Sequence, residues 1–383
     1  MVEVVVVGGG IGGLAAAFAQ ARAGRTVRVL ERSAEFGEVG AGLQLGPNAT
    51  RVLHRWGLLD QVIERGVLPR RLVFRDALTG EELTHLDLGE GFRHRYGGPY
   101  VVAHRGDLHA VLLRACAAAG VELLNGRHVE RVDAGRARAR CADGEVHEGD
   151  VVVAADGLQS VLRAQLVADQ PHDSGFVAYR GTRPLPEDFD VSDVVAYLGP
   201  GCHFVQYALR GGELLNQVAV FRAPGDLEAA FDGCCDAIGK GLPYLWRERH
   251  WPMLDRPPTG TWVRGRLALL GDAAHPMLQY LAQGACQAIE DAHELAEQSA
   301  AGDWDRALAA YQEIRVPRTA RVQTTARLWG DIWHVDGVAR VLRNELFRTR
   351  DPAGHDYVDW LYGGPASSGP PQIAGSASTA GEA

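Results

Sequence analysis

Val4-Val5-Val6-Val7 runs directly into Gly8-Gly9-Gly10-Ile11-Gly12-Gly13, and Val27-Arg28-Val29-Leu30-Glu31-Arg32 follows one Ala-rich helix length later. The valine run reads as a strand buried on both faces of a parallel sheet. Gly8, Gly10 and Gly13 then supply a tight turn, a close backbone approach to a pyrophosphate and close helix-to-sheet packing. The pyrophosphate would lie on the first helix's N-terminus, where free N–H groups and the helix dipole favour an anion. Glu31 closes the second strand, about 20 residues on, where a carboxylate accepts hydrogen bonds from a ribose diol. These residues predict a bound dinucleotide and, by themselves, leave FAD and NAD open.

At 383 residues the chain is long enough for two domains sharing a core. A net charge of −9 without a polybasic run argues against nucleic acid or an anionic membrane as partner. The N-terminal apolar stretch is short and glycine-broken, fitting neither a membrane span nor a signal peptide, so a cytoplasmic protein is expected. Cys116, Cys141, Cys202, Cys234, Cys235 and Cys286 form no CxxC pair, so reduced thiols and no metal centre are expected.

The first βαβ unit covers about residues 2 to 32. Periodicity predicts one helix from about Asn48 to Glu64, short antiparallel strands over 69 to 104, and a helix from Leu108 to Ala119. Val151 to Ala155 and Leu267 to Leu270 read as further buried strands, ending at Asp156-Gly157 and Gly271-Asp272. Strand-like runs fill 172 to 263, and helices dominate beyond.

Three motifs, each after a buried strand, now stand in order: the glycine turn, Asp156-Gly157-Leu158-Gln159-Ser160-Val161-Leu162-Arg163, and Gly271-Asp272-Ala273-Ala274-His275-Pro276. With them the chain resembles, to about Gly363, the single-component FAD-dependent aromatic hydroxylases, the family of p-hydroxybenzoate and salicylate hydroxylases. The resemblance implies an α/β fold: a Rossmann-like FAD-binding domain with an inserted β-sheet substrate domain and C-terminal helices. Its expected limits are 1–70, 101–171 and 264–310 for the FAD-binding domain, 71–100 and 172–263 for the substrate domain, 311–364 for the helices and 365–383 for a disordered tail rich in Ser, Gly, Pro and Ala.

By the same resemblance Asp272 would bond a ribityl hydroxyl of FAD, Asp156 would hold the second dinucleotide contact, and Arg105 matches an arginine near the FAD. The alternative for Asp156 is a helix N-cap or turn acid, and for Arg105 a surface ion pair. Gly284 and Ala285, in a glycine loop entering a helix, would meet the flavin through their backbone, with the helix dipole favouring the anionic reduced ring. Arg32 joins Glu31 in holding FAD. No second glycine fingerprint follows, so NADH or NADPH would bind transiently as co-substrate.

His203 and Tyr207 stand at i and i+4 in Gly201-Cys202-His203-Phe204-Val205-Gln206-Tyr207, on one face of a strand. The pair resembles that of the 3-hydroxybenzoate 6-hydroxylases and the 6-hydroxynicotinate 3-monooxygenases. An imidazole titrating near its ordinary ~6.5 would suit removal of a phenol proton. Gln279 matches a pocket glutamine in the first of these groups; Gln44, Asp76 and Tyr100 lie where pocket or cofactor residues occur. The trio His203, Tyr207 and Gln279 is the expected catalytic set, with no metal.

The expected activity is hydroxylation of a hydroxybenzoate-type ring with NADH and O2 through a flavin C4a-hydroperoxide, 3-hydroxybenzoate giving gentisate. A salicylate 1-monooxygenase or a 6-hydroxynicotinate 3-monooxygenase-like enzyme is the alternative, and a non-catalytic flavin-binding redox module is the rival of another class. The Trp-x-Trp-x-Ile-Pro motif of tryptophan halogenases is absent. Dimers are usual in the family, so a homodimer is expected.

Overall fold

The computed structural model describes residues 3–37, 40–187 and 189–363. Its first sheet has six strands in the order Val263–Arg264, Leu267–Leu269, Val151–Ala154, Val4–Val7, Val27–Leu30, Glu122–Leu124. All neighbours run parallel except the Val263–Arg264 edge. Val4–Val7 is an inner strand and all four valines are buried, worth about 1.5 kcal/mol or more each. The Ile11–Arg22 helix packs against Gly284–Gln298 and Arg105–Ala118. The other two strands expected to be buried, Val151–Ala154 and Leu267–Leu269, are fully so.

A second sheet has seven strands: Trp251–Asp255, His172–Pro184, Leu214–Arg222, Cys202–Leu209, Asp193–Gly199, Arg71–Asp76, Glu82–Asp87. It is antiparallel apart from the Asp193–Gly199 and Arg71–Asp76 pair. A two-stranded ribbon, Gly42–Leu45 with Val101–His104, also contacts the Cys202–Leu209 strand. The Trp304–Trp333 helix, about 45 Å long at 1.5 Å per residue, packs on Gly284–Gln298 at one end and brings Trp329 and Trp333 against the second sheet's hydrophobic cluster at the other.

Two local expectations are corrected. The helix expected over 48 to 64 is two, Pro47–Arg55 and Leu59–Arg65, because Gly57 turns left-handed (φ 72°) between them. Within 69 to 104 a seven-residue helix, Glu90–Tyr96, interrupts the strands; it buries only Phe92 and Tyr96, too sparse a pattern to read as periodic. The tail expectation for 365–383 falls outside the described residues. Among those residues, no helix is long and apolar enough to cross a membrane.

A buried charge cluster joins these parts. Arg315 of the long helix, with no exposed surface, pairs through Nη1 with Glu290 Oε2 at 2.5 Å and through Nε with Asp291 Oδ1 at 2.7 Å. Arg318 adds a second cation on Glu290. Asp291 Oδ2 accepts the Gly271 N–H at 3.0 Å and pairs with His275, while Glu290 Oε1 accepts from Asn48 Nδ2 at 2.6 Å. Burial alone would raise both carboxyls. For Glu290, Arg315 and Arg318 overcome it; for Asp291, His275 and Arg315 do, leaving each at about 2. Breaking such a pair strands a buried charge. Arg315→Leu should cost about 3–5 kcal/mol in urea unfolding; a loss under about 1 kcal/mol would show that the cluster does not hold the fold.

Candidate active site

The glycine turn opens onto a groove of about 370 Å³ at the C-terminal ends of the parallel strands. Gly8 is left-handed (φ 107°), and a Cβ there would lie 2.3 Å from the Ala155 carbonyl oxygen. A Cβ on Gly13 would lie 1.9 Å from the Gly8 oxygen, so only glycine lets the helix approach this closely. Gly10 caps the Ile11–Arg22 helix without a side-chain bond, which leaves the first-turn N–H groups for a ligand. Glu31 stands at the groove wall with Arg32; its carboxylate accepts the Gly9 N–H at 2.6 Å and the Ser33 N–H at 2.8 Å. A pyrophosphate on the helix end and a ribose on Glu31 fit this cradle, and a dinucleotide carrying a ring system can continue along it.

Asp156 also lines the groove, but its carboxyl is engaged locally: Ser160 Oγ donates to Oδ1 at 2.6 Å and the Leu162 N–H to Oδ2 at 3.3 Å. Burial raises its pKa. It thus holds the turn that follows its strand. Arg105, Asp272, Gly284 and Ala285 line this groove and a second cavity alike. They mark the junction where the groove's ligand would pass from one space to the other, with the start of the Gly284–Gln298 helix beneath it.

The second cavity, about 410 Å³, lies over the seven-stranded sheet. The strand register sets Phe74, Ala196, Val205, Val218 and Arg180 side by side across five strands, and all five line it. An apolar floor therefore ends on a cation. His203 and Tyr207 flank Val205 on its own strand and line the cavity too, as their i, i+4 spacing predicts. Gln279, Gln44 and Tyr100 add to the polar lining, Tyr100 donating to Gln44 Oε1 at 2.6 Å. Gln44 thus stands on this cavity and not on the groove's own wall.

Arg180 was not singled out in the sequence. It is partly buried, its Nη2 donates to Gln279 Oε1 at 3.3 Å, its guanidinium lies 5.5 Å over the Trp251 ring, and its buried Nε has no hydrogen-bond partner; among the described residues it has no ion pair. Its only sequence signal is an isolated cation in the half-buried Phe176-Val177-Ala178-Tyr179-Arg180 run. His334 was missed likewise: its Nε2 lies 2.8 Å from His203 Nδ1. Two expectations are corrected. Asp76 does not line the cavity; it bonds Arg340 and Asn344 of the Gly337–Arg348 helix and its own turn. Nor is His203 an ordinary imidazole: burial first, and then His334, lower its pKa well below 6.5. Burial, Arg222 and Arg343 bring His334 to about 3. Burial raises the Tyr207 phenol.

The family described as an FAD binding domain matches residues 1–211 and 245–326. The chain is 40% identical to a 3-hydroxybenzoate 6-hydroxylase of Polaromonas naphthalenivorans, over 94% of this chain and 95% of that protein. It is 37% identical to the 3-amino-4-hydroxybenzoate 2-monooxygenase PtmB3 of Streptomyces platensis, over 94% and 96%. Among solved structures, Klebsiella pneumoniae HpxO complexed with FAD and uric acid superposes with a TM-score of 0.83 at 26% identity, over 94% of this chain and 96% of that one. The cradle residues fit the FAD that the family description and the HpxO complex name.

The two lowered histidines fix a sign for pH. Unfolded, they bind protons near pH ~6.5 that the folded pair refuses, so their share of stability is full above that pH and is lost as the pH falls toward the folded value of His334, about 3. Glu290 and Asp291 add a second loss, from about pH 4.5 down to about 2. Urea midpoints between about pH 7.5 and about pH 5 should fall for the native chain and fall less for His334→Phe. Equal slopes would mean that His334 titrates normally.

Proposed function

The chain belongs to the FAD-dependent aromatic hydroxylases, and on that footing we propose that it converts 3-hydroxybenzoate to gentisate with NADH and dioxygen. The observation that carries this reading is the polarity of the cavity floor: a flat apolar row with a neutral buried imidazole beside it and, at its end, a partly buried guanidinium that has no ion pair among the described residues. A ring bearing a hydroxyl and a carboxylate in meta relation offers one group to each. The hydroxybenzoate and aminohydroxybenzoate enzymes among its relatives point to the same class of ring.

Glu31 and Arg32 would hold the adenosine end of FAD, the Gly10 helix end its pyrophosphate, Asp272 its ribityl chain, and Arg105, Gly284 and Ala285 the ring end. When bound, FAD reduced by the nicotinamide would activate dioxygen, one atom of which would enter the substrate ring while the other leaves as water. The protein's own work is to orient the ring and manage its proton. Arg180 pairs with the carboxylate, a charge-assisted contact strengthened by burial. Gln279, its Oε1 already engaged by Arg180, turns its amide N–H toward the same group. His203 takes the phenol proton as the ring is attacked, making the position para to the hydroxyl electron-rich. Tyr207 fixes the ring's edge from the far side of Val205, and Phe74, Met277, Trp329 and Trp333 keep water out.

NADH oxidation should be stimulated by 3-hydroxybenzoate with gentisate as the matched product. Arg180→Met should raise KM for 3-hydroxybenzoate about 10- to 100-fold, the effect of losing a charged hydrogen bond, and leave the affinity for 3-methylphenol unchanged. Equal effects on both phenols would remove Arg180 as the carboxylate partner; carbon dioxide release from salicylate with faster turnover would replace the substrate itself.

A further inference from the structure

His334 lies 131 positions from His203 in sequence, yet the two rings stack at 24° with centroids 5.0 Å apart, and His203 Nδ1 meets His334 Nε2 at 2.8 Å. One proton must lie between them, on one nitrogen or the other. His334 closes the C-terminal end of the Trp304–Trp333 helix, and its carbonyl accepts the Gly201 N–H at 3.0 Å, which anchors it beside the start of the His203 strand. Its second nitrogen, Nδ1, is buried without a partner. A residue placed here only to fill space would carry no such orphaned polar group.

The groups facing the pair make a lasting positive charge on it costly. Arg222 reaches His334 from the Leu214–Arg222 strand and Arg343 from the Gly337–Arg348 helix; Tyr280 packs against both rings and Trp333 against His203. Among the described residues no carboxylate is bonded to either imidazole to balance an imidazolium. A base so placed can take a proton from a phenol cheaply only by handing another on.

We infer that His203 and His334 form a two-ring relay that carries the substrate phenol's proton out of the cavity through Nδ1 of His334, an inference that rests on the reading of the substrate as a hydroxylated ring. The phenol O–H breaks and an N–H forms at His203 Nε2, the ring nitrogen left to a ligand once Nδ1 is engaged. The Nδ1–H of His203 passes to His334 Nε2, and the Nδ1–H of His334 passes to a water bound at that otherwise unpartnered buried nitrogen and from it to solvent. The sum is a phenolate and a hydrated proton, with both rings neutral and each in its other tautomer. His203 then donates its Nε2–H to the phenolate oxygen it created. The reverse passage returns a proton when the product hydroxyl forms, so no oxidant or reductant is involved. The outer end lies under Phe176, stacked on His334 at 4.3 Å, whose ring carries the exposed Arg222 at 5.1 Å.

The test uses the oxidised, FAD-loaded protein in weak buffer at about pH 6, mixed rapidly with 3-hydroxybenzoate and, separately, with 4-nitrophenol. An indicator dye follows proton release and the nitrophenolate colour follows ionisation. The native protein should release about one proton per bound ligand. His334→Gln, which keeps a hydrogen bond to His203 Nδ1 but has no second site for a proton, should bind both phenols and release the proton about 100-fold more slowly, within the range of acid–base contributions. Release at the native rate from His334→Gln overturns the relay, as does absence of release from the native protein with both phenols. Release with nitrophenol but not with 3-hydroxybenzoate supports the relay and overturns the substrate reading. Should His334→Gln fail to retain FAD, the native rate measured in mixtures of light and heavy water decides. A bowed dependence, from more than one proton in motion, supports the relay, and a straight line overturns it.

Discussion

Arg315 is the interaction on which the arrangement turns. A guanidinium without exposed surface must be matched by buried carboxylates, and Glu290 and Asp291 are consecutive residues on the helix that begins at Gly284. Their remaining lone pairs are taken by Gly271, His275 and Asn48. One charge cluster therefore fixes the strand end that carries Asp272, the helix start that carries Gly284 and Ala285, and the helix that follows Gln44. Those are the residues where the groove and the cavity meet, so the geometry of the junction depends on a pairing some distance behind it.

The cavity itself follows from sheet register. Cross-strand neighbours on one face of an antiparallel sheet line up in rows, and the row through Val205 is apolar from Phe74 to Val218 and charged at Arg180. A flat hydrocarbon strip with one cation at its end selects planar anions over neutral rings of the same size. His203 is kept neutral by the burial that dries the site, which suits hydrogen bonding to a phenol and makes an onward path for the proton valuable. The same dryness strengthens each polar contact a substrate makes there.

Much of this was legible in the chain. The valine run, the glycines and Glu31 fix their own surroundings through local sterics, so the first strand, turn and helix form as their pattern says. The strands ending at Asp156 and Asp272 were legible because strands buried on both faces are apolar throughout. His203 and Tyr207 share a face because the strand period is two. What escaped depends on partners distant in sequence. Arg180 looks like any half-exposed strand cation until the Leu214–Arg222 strand places it beside Val218. His334 meets His203 only because the long helix ends there. Asp76 lies on the row through Leu198 and His203, yet its carboxyl is claimed by Arg340 and Asn344 from a helix more than 250 residues on. The His203 pKa was misread for the same reason, since burial is a property of the packed sheet and not of the strand's own residues.

A crystal structure of the FAD complex with 3-hydroxybenzoate tests the central claim most directly. The account predicts the ring flat on the Ala196, Val205 and Val218 row, its hydroxyl oxygen within hydrogen-bond distance of His203 Nε2 and its carboxylate on Arg180 and Gln279. A ring bound away from that row, or turned so that the carboxylate faces His203, would contradict it.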